Sequence, residues 1–153
     1  MRLLLLVFTL FLSPLLGEQT LAMIKPDAVK KQHVGEIIHL YEKSGLRIAA
    51  LKMTKLTPEQ VQLFYWMLKE KPFFPELSAF MTSGPVVVMV LEGDHAIMKN
   101  RQIMGPTDPK EAAPDTIRAR FGRDKGQNAI HGSDSPLSAI EEIQFFFKPN
   151  EIY

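Results

Sequence analysis

The chain contains 153 residues, 46% of them hydrophobic and 23% charged, with a formal net charge of +1. These values favour one compact globular domain and mark no face for a polyanion, so nucleic acid is not an expected partner. The absence of cysteine excludes disulfides, thiolate metal sites and cysteine nucleophiles, and fits a cytoplasmic domain best.

Residues 1–17 read as a hydrophobic leader ahead of a domain at 18–153. Arg2 precedes the apolar run from Leu3 to Leu12, which Ser13-Pro14 and Leu15-Leu16-Gly17 follow. The run is too short to cross a bilayer comfortably. It is similar to a secretory signal, which would export the protein, although no Ala-x-Ala pattern precedes Glu18. Two other readings stand beside it. Translation starts later, near Leu16, or the segment is a membrane-associated tail.

Within the domain, Gln19 to Ile24 reads as a strand ended by a turn-forming Lys25-Pro26-Asp27. Val34, Ile37, Ile38 and Tyr41 follow helical spacing up to Ser44-Gly45. Leu46 to Leu56 alternates Ala49, Leu51 and Met53 with Ala50, Lys52 and Thr54, predicting a half-buried strand. Thr57, Pro58 and Gln60 form a capping-box start for a helix carrying Val61, Tyr65 and Leu68, broken by Lys71-Pro72-Phe73-Phe74-Pro75. A short helix reaches Met81 before Ser83-Gly84-Pro85, and the unbroken apolar run Val86 to Leu91 predicts a central strand. Asp94 is placed to cap a helix through Arg101, and a long loop runs from Met104 to Pro114. Asp115 opens a turn or two of helix closed by Gly122, Asn128 to His131 is a short strand, and Ser135-Pro136 starts a last helix through Phe147. Two strand-helix-strand units in this order predict an α+β sandwich with helices against a sheet, whose strand order periodicity leaves open.

His131 is the most informative residue for chemistry. It sits where a short strand meets a helix start, a junction whose free N–H groups favour negative charge. An imidazole there can attack phosphorus. A lone histidine is more often structural, but two neighbours argue against that. Ser133, two residues on, points to the same side, and Glu142, at the border of an apolar helical face, is suited to orient an imidazole N–H. No P-loop and no Rossmann glycine turn is present. Lys25, Arg101, Thr107 and Arg118 instead supply three cations and a hydroxyl that can clamp phosphates. Phe73 is a candidate for stacking on a base. The four histidines lack metal-ligand spacing, whereas Mg²⁺ carried on substrate phosphates needs no protein cage.

Thr20-Leu21-Ala22-Met23-Ile24-Lys25-Pro26-Asp27, Phe73-Phe74-Pro75, Ser83-Gly84-Pro85, Thr116-Ile117-Arg118 and Asn128-Ala129-Ile130-His131-Gly132-Ser133-Asp134-Ser135 together resemble the nucleoside diphosphate kinase family, in order and from about Gln19 to the end. The resemblance implies a ferredoxin-like sandwich with a four-stranded antiparallel sheet covered by helices. It implies transfer of the terminal phosphate of ATP, bound with Mg²⁺, to a nucleoside diphosphate through a phosphohistidine at His131 Nδ1. Glu142 would hold the other nitrogen, with Ser133 close by. Lys25 would reach the sugar hydroxyls and terminal phosphate, and Tyr65 and Arg118 would lie on the phosphate side. Arg101 and Thr107 would clamp phosphate, Asn128 would contact the ribose, and Phe73 would stack on the base.

The resemblance also implies a homo-oligomer. A tetramer fits the short tail Lys148 to Tyr153 better than a hexamer, and no membrane partner is expected. Pro106, Asp108, Lys71, Arg120 and Lys125 depart from the family's common pattern and put loop conformation and subunit contacts in question. The rival reading is a non-catalytic binding module on the same fold. Retention of His131, Lys25, Arg118 and Asn128 argues against it.

Overall fold

The computed structural model describes residues 17–153, and the leader read at 1–17 lies, all but its last residue, outside the described residues. Two strands carry apolar residues without alternation, a pattern that suits the middle of a sheet covered on both faces. They are β1 (Glu18–Ile24) and β3 (Val86–Gly93), and they pair antiparallel with Leu21 opposite Val90 and Met23 opposite Val88. β2 (Arg47–Thr54) and β4 (Ile130–Gly132) flank them, giving the order β2-β3-β1-β4 with every pair antiparallel. That is the ferredoxin-like order, and the fold class is α+β.

Helices cover both faces. Ala22, Ile24, Val87, Met89 and Leu91 pack with Ile37 and Tyr41 of α2 (Val34–Lys43), Ala96 and Met104 of α5 (Ala96–Met104), and Ile117 of α6 (Ile117–Phe121). Leu21, Met23, Val86, Val88 and Val90 pack with Val61 of α3 (Pro58–Phe64), Met81 of α4 (Phe74–Met81), and Ile143 and Phe146 of α7 (Pro136–Phe146). None of the helices among the described residues is long and apolar enough to cross a membrane.

Several local expectations are corrected. Lys25-Pro26-Asp27 does not turn the chain loosely but starts a helix, α1 (Pro26–Lys30), because proline at the first position presets the helical φ. The helix expected after Asp94 begins behind His95, which stands in the left-handed region and makes no side-chain cap, while the Glu18 carboxylate accepts the Ile97 N–H at 2.8 Å. Thr116, not Asp115, caps α6 by accepting the Ala119 N–H. The Thr57–Gln60 capping box forms, but α3 ends at Phe64 and a separate 3₁₀ turn spans Trp66–Leu68.

The largest correction falls on β2. A bulge between Ile48 and Ala50 buries Ala49 and Ala50 in succession and shifts the alternation beyond them. Leu51 and Met53 pair with Met89 and Val87 but stay 48% and 59% exposed at the sheet edge, where the alternation predicted burial.

Candidate active site

β4 is only three residues long, yet its placement is tightly determined. It pairs with β1 so that His131 lies opposite Met23 and Gly132 opposite Ala22. A Cβ at Gly132 would come within 2.5 Å of both Asn100 Nδ2 and Met104 Sδ, so glycine is what lets α5 close against the strand behind His131. His131 is half-buried. Its Nε2 lies 2.9 Å from Glu142 Oε2, and the same carboxylate oxygen accepts the Ser133 hydroxyl at 2.7 Å. Ser133 in turn accepts the Leu21 N–H at 3.3 Å, fastening this group to β1. With the Nε2 proton held by Glu142, the lone pair is on Nδ1, the nitrogen left without a hydrogen bond among the described residues.

The imidazole has an aromatic wall. Phe64 stands edge-on to it with centroids 5.1 Å apart, and Tyr65 does the same at 5.6 Å. The Tyr65 hydroxyl is buried without a partner among the described residues, and burial, reinforced by the Glu142 charge, pushes its pKa upward.

A second group is cationic. Lys25, at the end of β1, donates through Nζ to Asn128 Oδ1 at 2.7 Å, and the Asn128 amide donates to the Thr107 carbonyl at 3.0 Å. Arg118 in α6 is fixed by two backbone carbonyls at 3.0 Å, Gly105 and Ile130, the latter adjacent to His131. Both side chains are 7% exposed. Burial, with Arg118 adding and Asp27 opposing, lowers the Lys25 ammonium to about 8. Burial and the nearby Arg101 lower Arg118 to about 10, and its Nε is buried without a partner among the described residues. Two desolvated cations with unspent hydrogen-bonding capacity make a site suited to a multiply charged anion.

A family model described as nucleoside diphosphate kinase matches residues 18–152. The chain belongs to the nucleoside diphosphate kinase family. It is 57% identical over 136 residues to nucleoside diphosphate kinase 1 of Protochlamydia amoebophila, covering 89% of this chain and 96% of that protein. It is 59% identical over 135 residues to the nucleoside diphosphate kinase of Chlamydia abortus, covering 88% and 96%. Among solved structures, the Aquifex aeolicus nucleoside diphosphate kinase superposes with a TM-score of 0.87 at 53% identity, covering 89% of this chain and 99% of that one. A halophilic nucleoside diphosphate kinase from Halobacterium salinarum, in complex with CDP, superposes with a TM-score of 0.87 at 41% identity, covering 90% and 91%.

Within this kinase-family fold the sequence-predicted residues divide into three. His131, Glu142, Ser133 and Tyr65 form one contact group, and Lys25, Asn128 and the Thr107 backbone form another, with Arg118 bridging towards both. Arg101 and Phe73 are exposed and make no hydrogen bond or ring contact with either group. An open cleft of about 570 Å³ beside α5 is lined by Glu18, His95, Met98, Arg101 and Asp134, and does not include His131.

Sequence reasoning missed two participants. Phe64, the last residue of α3, falls within the longer helix that the sequence predicts, and helical spacing gives no sign of which aromatic will meet a residue far along the chain. Asp27, whose carboxylate accepts the Ala129 N–H at 3.1 Å, lay in a stretch read as a turn, where aspartate is commonplace.

Proposed function

We propose that this chain exchanges terminal phosphates between nucleoside triphosphates and diphosphates by a two-step route through phosphorylated His131. The observation that carries the reading is the partly exposed imidazole whose Nε2 is held by Glu142 while Nδ1 has no hydrogen bond among the described residues, near buried cations that have room for more hydrogen bonds. The Nδ1 lone pair attacks the terminal phosphorus of ATP and forms an N–P bond. The bond to the bridging oxygen breaks, its electron pair leaves with ADP, and an acceptor diphosphate reverses the sequence. Glu142 stabilises the positive charge that the ring acquires, and Ser133 keeps the carboxylate oriented. Lys25 and Arg118 neutralise charge on the transferring group, the effect on which phosphoryl transfer chiefly depends. Asn128, joined to Lys25, contacts the ribose, Arg101 and Thr107 close on the phosphates, and Phe73 offers an exposed ring to the base.

The family implies Mg²⁺. Among the described residues no three acidic or histidine side chains gather as ligands, and the site's donors are mainly cationic. The ion therefore fits as part of the metal–nucleotide substrate, held by phosphate oxygens and water. We also infer that copies of the chain assemble, since Leu51 and Met53 leave apolar surface on an edge strand.

The direct test uses ATP labelled at its terminal phosphate. The protein should acquire an acid-labile label on His131 and pass it to GDP. His131→Ala should take up none. A label elsewhere, or native turnover in the variant, refutes the assignment.

A further inference from the structure

Three non-glycine residues of the described chain have positive φ, and of these Gln32, His95 and Ala129 only the last is fully buried. Ala129 has φ of 71°, and the Ile130 N–H donates to the Asn128 carbonyl at 2.9 Å across it. It is therefore the centre of a γ-turn of the rare, strained hand. A residue bearing a Cβ does not hold this conformation unaided.

Two groups hold it. The Lys25 backbone N–H donates to the Ala129 carbonyl at 2.8 Å, and Asp27 Oδ2 accepts the Ala129 N–H at 3.1 Å. Asp27 is buried, and its other oxygen has no partner among the described residues. The turn it grips carries the site on both flanks. On one side Asn128 reaches Lys25 Nζ and the Thr107 carbonyl. On the other, His131 follows within two residues.

We propose that Asp27 is a positioning residue for phosphoryl transfer, whose carboxylate clamps the strained Ala129 turn and thereby aims Asn128 and His131 together. The proposal rests on the phosphotransfer reading above. Asp27 touches no reacting atom and acts through Ala129. Its charge also opposes the influence of burial and Arg118 on Lys25, so clamping the turn and supporting that ammonium are served by one side chain.

The test compares the full-length wild type with Asp27→Ala, Asp27→Asn, Ala129→Gly and the double variant Asp27→Ala/Ala129→Gly. Melting temperature, kcat, KM and labelling of His131 are read for each. Asp27→Ala should lower kcat about a hundredfold with a much smaller change in KM, because the nucleophile is misplaced while most nucleotide contacts survive. Glycine adopts positive φ at no steric cost, so adding Ala129→Gly should restore kcat about tenfold without any clamp. Asp27→Asn keeps an oxygen that accepts the same N–H and should stay within about tenfold of wild type.

A folded Asp27→Ala with native kcat overturns the proposal, as does a glycine that restores melting temperature but not kcat. If Asp27→Ala does not fold, the double variant and Asp27→Asn decide in its place, and a folded double variant no faster than about a hundredth of wild type overturns it. The two readings fail differently. A wild type that takes up no label sinks the phosphotransfer reading itself, whereas a labelled wild type with an equally active Asp27→Ala sinks only this inference.

Discussion

Replacing Lys25 by methionine should strengthen the fold at neutral pH while disabling the site. Burial holds the Lys25 ammonium at about 8, against 10.5 for an unperturbed lysine. That gap corresponds to about 3 kcal/mol of cost that the folded protein bears when Lys25 is charged. Between these two values the unfolded chain binds a proton that the folded chain has released. Stability therefore rises with pH through that window, and below it the whole cost is present. Methionine fills similar space without the charge, but it leaves Asn128 Oδ1 without its donor, which returns about 1–3 kcal/mol. The net gain at neutral pH is then about 0–2 kcal/mol. The pH dependence is the sharper signal. Urea unfolding of both proteins near pH 7 and again above pH 10 should show the variant's advantage falling by about 3 kcal/mol, other groups being common to both. Exchange activity should fall by about a hundredfold or more. An advantage that does not change with pH would refute the account of Lys25 as a buried, charged side chain.

Other outcomes follow from the same geometry. Glu142→Gln removes the charge that supports the ring while keeping its shape, so the rate of His131 phosphorylation in a single turnover should drop about a hundredfold, with nucleotide affinity little altered. Phe64→Ala removes ring contacts to Tyr65, His131, Phe145 and Phe146, and should cost about 2–3 kcal/mol by denaturant titration along with a fall in kcat. Met53→Glu places a charge on the exposed apolar edge of β2, and light scattering should then report a smaller assembly than the wild type forms.

The sequence disclosed most where structure follows from neighbours. The capping pair at Thr57 and Gln60, the unbroken apolar run of β3 and the helix start at Ser135 each depend on side chains within a few positions, and each forms in the structure. Legibility stopped where distant chain segments decide. The bulge that exposes Leu51 and Met53 arises from pairing with β3, and the alternation within β2 carries no trace of it. The start of α5 depends on the Glu18 carboxylate of another strand, so Asp94 looked like the better cap when its own neighbourhood alone was weighed.

The same division runs through the candidate site. His131, Ser133 and Glu142 stood out by their types and spacing, and Lys25 and Asn128 by their motifs. What brings these two sets together is the left-handed Ala129, a residue with nothing in its chemistry to suggest a turn. Lys25, just past the end of β1, and Asp27, in α1, grip that alanine from a segment about a hundred residues away. A strained backbone held by remote partners leaves no local pattern, since each participant looks ordinary where it stands. Asn128, the strained Ala129 and His131 lie within four consecutive residues. The folding energy that holds the turn is therefore also what keeps the imidazole and the lysine-bound amide in fixed relation, and loosening the turn would uncouple them even with every side chain of the site intact.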